Sequence, residues 1–230
     1  MTTLDELLDT IFDGKQPALY PEFEGWVRGS RRFKAFAIEY RGKIRAKLKN
    51  ARDESVMKDV RVELQTAALL LREERFTLEY EKYAALKQRG PDFTVTFKTH
   101  TPFNVEVRRI RSVEWDDDFE ARLIKLMAVL CDKAGQMPPA IVNLLWLTAE
   151  REVSEADLNL AVSTIRKLAE SKNEAFFTKR GFKSAAEFLK QFRQLSGIVL
   201  HQAGGNVWWE NSLAKHKTPP DIVKALQRLT

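Results

Sequence analysis

Between residues 56 and 147 the apolar residues change their period twice, and that succession restricts the layers the chain can build. Val56, Val60, Leu64, Ala67, Ala68 and Leu71 recur at helical spacing over residues 56–72. Phe76, Leu78 and Tyr80 then alternate with Thr77, Glu79 and Glu81, the pattern of a strand. After the turn residues Gln88-Arg89-Gly90-Pro91, alternation returns with Phe93, Val95 and Phe97. It returns again after His100-Thr101-Pro102 with Phe103, Val105 and Val107. Two close turns predict an antiparallel meander. Helical spacing resumes over residues 119–134, with Phe119, Leu123, Leu126, Met127 and Leu130 inward. Pro138-Pro139 closes that unit, and residues 141–147 form an almost unbroken apolar run, as in a strand covered on both faces. The expected class is mixed α/β: a central mixed β-sheet flanked by helices.

Residues 3–12 read as a short helix, with Leu4, Leu7, Leu8 and Ile11 on one face and Thr3 as N-cap. Gly14, Pro17, Pro21, Gly25 and Gly29 predict an irregular connector over residues 14–29. A long helical stretch is expected over residues 31–49, carrying Phe33, Phe36, Ala37, Tyr40, Ile44 and Leu48. Residues 1–52 are thus read as an N-terminal helical extension to an α/β domain over residues 53–230. Beyond the core, Ser154 caps a helix running towards Ser171, and Ser184 starts another to about Leu195. Residues 197–200 and 206–209 are short strand candidates, with Gly204-Gly205 as a hairpin turn. Thr218-Pro219-Pro220-Asp221 opens a final helix.

Charge enters through its distribution. Residues 28–52 hold ten Lys or Arg against the single acid Glu39, within a chain of net charge +6. Lys43, Arg45, Lys47 and Lys49 are therefore candidate nucleic-acid contacts; a solvated face is the competing reading. Cys131 is the only cysteine, which excludes an internal disulfide and a cysteine-based zinc site. Its apolar setting predicts a buried small hydrophobe. No apolar run approaches the roughly 18 residues of a membrane span. The acidic, amphipathic N-terminus lacks the features of a secretory signal, so a cytoplasmic location is expected.

Asp92 opens the second predicted strand, and Glu106 lies mid-way along the third with Arg108 on the same face. If these strands form a hairpin, the two carboxylates converge. Neighbouring carboxylates are costly unless a cation joins them, and magnesium suits such oxygen ligands. Glu63 lies beside Val60, Leu64 and Ala67 on the preceding helix. Pro91-Asp92, Glu106-Val107-Arg108 on the next strand and the acidic Glu63 together resemble the PD-(D/E)xK nuclease superfamily over residues 56–147. The resemblance implies a restriction-endonuclease-like fold and Mg²⁺- or Mn²⁺-dependent phosphodiester hydrolysis of nucleic acid. It makes Asp92 and Glu106 metal ligands and Glu63 an auxiliary acid.

Arg108 departs from the motif, which carries lysine there. Arginine keeps the charge but does not give up a proton at a useful pH. Either Arg108 binds phosphate, or it pairs structurally in a nuclease-like module that binds nucleic acid or a partner protein without cleaving it. Lys125, on the following helix, is the candidate replacement for the missing lysine. His100, His201 and His216 lack metal-ligand spacing. Trp208 and Trp209 point to opposite faces of a strand, one inward and the other either buried as well or open to a base or a second subunit. Trp115-Asp116-Asp117-Asp118 reads as an acidic helix start.

Overall fold

A computed structural model of the chain describes residues 2–86, 88, 90–111, 119–150 and 153–229. Trp115-Asp116-Asp117-Asp118 lies outside the described residues. Five helices lead: α1 (Leu4–Phe12), α2 (Tyr20–Gly29), α3 (Arg31–Glu39), α4 (Arg41–Asn50) and α5 (Glu54–Leu70). Then come β1 (Phe76–Tyr80), β2 (Phe93–Phe97), β3 (Thr101–Ile110), α6 (Phe119–Ala134) and β4 (Val142–Ala149). The chain continues through α7 (Glu155–Glu170), α8 (Glu174–Thr178), α9 (Ala185–Phe192), β5 (Gly197–Gln202), β6 (Gly205–Glu210) and α10 (Pro220–Gln227).

The start signals act as expected. Thr3 and Glu6 form a reciprocal capping box on α1, and Ser154 and Ser184 cap α7 and α9. Two expectations in the basic N-terminal region fail. Residues 14–29 are not a connector throughout, because α2 occupies Tyr20–Gly29. Pro21 sits in its first turn, where the missing amide costs nothing, while Phe23 and Val27 are buried at helical spacing. The stretch 31–49 is two helices, broken at Tyr40 (φ −102°, ψ 15°). Tyr40 packs there against Phe36 and Tyr80, with ring centroids 5.0 and 5.8 Å apart.

All six strands form one mixed sheet in the order β1-β2-β3-β4-β5-β6. β1, β2 and β3 are antiparallel, β3, β4 and β5 are parallel, and β6 returns antiparallel. Helices cover both faces. Leu7, Phe23, Phe33, Ile44, Leu64 and Ile222 share one core with Phe76, Phe93 and Phe103 of the sheet. Leu130, Ile165, Phe177 and Phe188 share the other with Leu145 and Ile198. Helices α1–α4 therefore pack into the same core as the sheet. Among the described residues no helix is long and apolar enough to cross a membrane.

A buried polar ladder ties the middle strands together. Thr94 Oγ1 donates to Asn104 Oδ1, and Asn104 Nδ2 donates to Asn143 Oδ1, each at 2.9 Å. Asn143 Nδ2 in turn donates to the carbonyls of Pro138, Ile141 and Gln194. At the far edge, Gly205 (φ 118°) makes the tight β5–β6 hairpin that the glycine pair predicted. Trp209 is buried, its indole N–H donating to Asn159 Oδ1 at 2.9 Å. Trp208 is partly buried on the opposite core and lies across Gly197, where a Cβ would meet its ring at 2.2 Å.

Candidate active site

The site forms where β2 stops and β3 does not. Pairing between them ends at Phe93 and Val105, whereas β3 stays paired with β4 as far as Ile110. Pro91 has no amide to extend the ladder. One step beyond the last pair, Asp92 lies against Glu106 and Val107. Its Oδ2 accepts the Val107 amide at 2.8 Å and so satisfies the first β3 amide left without a strand partner.

Alternation along β3 divides three charged residues between the two helical layers. Glu106 is buried on the α6 face, where Lys133 Nζ donates to its Oε1 at 2.5 Å. Arg108 shares that face, is half-buried, and makes no ion pair among the described residues. Arg109 points the other way and is fully committed to α5 and β4. It pairs with Asp59 at 2.8 Å and with Glu150, and donates to the Ser55 carbonyl.

From the α5 side a second lysine enters. Lys47 Nζ contacts Glu63, lies 2.9 Å from Glu81 and 4.0 Å from Asp92, and rests 5.0 Å over the Tyr80 ring. Burial pushes Asp92 up to about 7; repulsion from Glu106 adds to this, while Lys47, the Val107 amide and Lys133 oppose it. Burial also lifts Glu63 to about 7, helped by Asp92 and resisted by Lys47. For Lys47, burial acts to lower the ammonium pKa, but Glu63 and Asp92 outweigh it and hold the group well above its ordinary value. Burial and the neighbouring Glu63 carboxylate push the Tyr80 hydroxyl far above the usual phenol range.

Asp92, Glu106 and Glu63 are thus brought into one cluster. Of the candidate nucleic-acid contacts, only Lys47 joins them. Lys43 donates to the Tyr80 and Glu81 carbonyls at 2.7 and 3.2 Å, and Lys47 is inside the cluster. Arg45 pairs with Asp13 at 2.6 Å on the surface, and Lys49 is exposed. The α6 lysine that reaches Glu106 is Lys133; Lys125 lies eight residues earlier, about 12 Å along the helix axis. Lys133 and Glu81 escaped the sequence reading, which took Lys47 for a nucleic-acid contact instead of a partner of Glu63 and Glu81. Lys133 follows the buried Leu126 by seven residues and Leu130 by three. Lys47 follows Tyr40 and Ile44 at the same two spacings. A lysine on an apolar stripe was the available signal.

The donor set suits a hard cation. Asp92 Oδ1 and Glu106 Oε2 accept no hydrogen bond among the described residues, and Mg²⁺ is held by one or two carboxylates with water completing its shell. Among the described residues no three His, Cys, Asp or Glu side chains are placed to hold a metal ion by themselves. No family model, curated protein or solved structure matches the chain. Chemistry must therefore be assigned from the geometry of the cluster.

Proposed function

We propose that the chain is a metal-dependent phosphodiester hydrolase acting on nucleic acid, built on a restriction-endonuclease-like core. The observation that carries this reading is the convergence of Asp92 and Glu106 at the end of β2 with Lys133 hydrogen-bonded to Glu106. The order α5, β1–β2–β3, α6, β4 supports the fold assignment, because it supplies the helix, three strands, helix and strand that the resemblance implies.

Asp92 and Glu106 would hold a divalent ion, which when bound lowers the pKa of water and neutralises charge on the phosphate. Lys133 brings an ammonium to Glu106 from the helix instead of from position 108. It fixes the Glu106 carboxylate and keeps further protons for an oxygen of the substrate. Arg108 has no carboxylate partner among the described residues. Its planar fork is therefore left to grip a phosphate in two-point fashion. Arg109, on the opposite face, anchors β3 to α5 and to Glu150 at the end of β4.

Purified protein incubated with plasmid DNA or single-stranded RNA, with Mg²⁺, with Mn²⁺ and with chelator, tests this. Cleavage should require metal and fall by at least about 100-fold in Asp92→Ala and Glu106→Ala. Lys133→Met should lose about 100-fold in turnover, whereas Arg108→Met should mainly raise KM. Salt-sensitive binding without cleavage by the native protein would overturn the hydrolase and leave the binding module.

A further inference from the structure

Two lysines enter the carboxylate cluster, and only Lys133 belongs to the hydrolytic assignment. Lys47 comes from α4, outside the stretch that resembles a nuclease. Its ammonium meets three carboxylates from three elements: Glu63 on α5, Glu81 after β1 and Asp92 before β2. The Tyr80 ring lies beneath it, and its side chain keeps only 24% of its surface exposed. A surface lysine paired for solubility has one partner and open solvent around it. This one is surrounded as a bound cation is.

The charges point the same way. Glu63, Glu81, Asp92 and Glu106 face Lys47 and Lys133. With all four carboxylates ionised, two negative charges remain, which is the charge of one divalent ion. A second divalent ion would need the place that the Lys47 ammonium fills.

We infer that Lys47 is a built-in cation that occupies the Glu63–Glu81–Asp92 part of the cluster, so that the site takes a single divalent ion, at Asp92 and Glu106. This rests on the metal-site reading above and adds the number of ions and the residue that sets it. Lys47 acts through the carboxylates and is a positioning residue.

The test counts Mn²⁺ ions on the full chain by calorimetry and by the electron paramagnetic resonance signal of free Mn²⁺, at pH 8 and without substrate. The native protein should bind one ion, Glu106→Gln none, and Lys47→Met a second ion in addition to the first. Lys47→Arg, which keeps the charge, should stay at one. Two ions on the native protein overturn the inference without any variant, so it remains testable if Lys47→Met does not fold. One ion on a folded Lys47→Met also overturns it and leaves the hydrolase reading intact. No ion on the native protein overturns both. Cleavage is not the readout, so an inactive but metal-binding site would still support the inference.

Discussion

Cys131 and Lys133 stand two residues apart on α6, and their roles are the reverse of what their chemistry advertises. The thiol, a common nucleophile, is buried at 1% exposure, and burial pushes it up to about 12. Its thiolate fraction at neutral pH is therefore negligible. Native protein at pH 8 should resist a disulfide-exchange reagent, and denatured protein should react at once; fast reaction of the native state would contradict this burial. The linkage has a definite sign. The folded value lies above the unfolded one near 9, so the contribution is complete below pH 9 and is lost as pH rises towards 12. Urea midpoints at pH 8 and pH 10 should thus be closer together in Cys131→Ala than in the native protein. Lys133, a residue type that usually solvates a surface, is the one drawn into the site. Sequence periodicity identified Cys131 as buried because its neighbours are apolar. It passed over Lys133 because a lysine on an apolar stripe is informative only when the carboxylate opposite it is known.

At the scale of elements, three of the first four strands emerge from alternation alone, since an inward–outward pattern is fixed by the pleat. The fourth, β4, was recognisable as a continuous apolar run. What stayed hidden was the helix α2, where proline and glycine suggested a loop although Pro21 occupies a helix start. Also hidden was the break at Tyr40, where the ring packs against Tyr80. The Asn104–Asn143 ladder was hidden too, because nothing in the spacing of two asparagines 39 residues apart announces a contact. The ladder nevertheless sets the frame on which Glu106 sits, two residues beyond Asn104 on the same face. Asn143→Ala would leave Asn104 Nδ2 with only the Tyr83 hydroxyl and strand the carbonyls of Pro138, Ile141 and Gln194 in the interior. The expected cost is about 3 kcal/mol in urea unfolding. Thr94→Val, which removes a single hydroxyl, should cost about 1 kcal/mol. Equal costs would mean that Asn143 carries no more than Thr94 does.

For the molecule as a whole, the helices read as an extension over residues 1–52 share the core of the sheet. Phe36 meets both Tyr80 and Phe93, at 5.7 and 6.4 Å between ring centroids. Arg32 donates to the Leu71 and Glu73 carbonyls at 2.6 Å each, tying α3 to the end of α5. A chain starting at residue 51 would expose Phe76, Phe93 and Phe103 to water and lose Lys47. It should fail to give a cooperative thermal transition and should elute as aggregate in size-exclusion chromatography; a monomeric, cooperatively melting fragment would show that α1–α4 are dispensable. The sheet itself has a property that concerns its assembly. Its strands lie side by side in the order in which they occur along the chain. Each strand therefore finds its neighbour already present when it leaves the ribosome, and the sheet grows by accretion at one edge. The antiparallel pairs join partners close in sequence and can close early, whereas β3–β4 and β4–β5 pair residues such as Phe103 with Val142 and Leu144 with Gly197 and must close later. Lys47, Glu63, Glu81, Asp92, Glu106 and Lys133 have all been synthesised before β4 arrives to fix β3 from its far side.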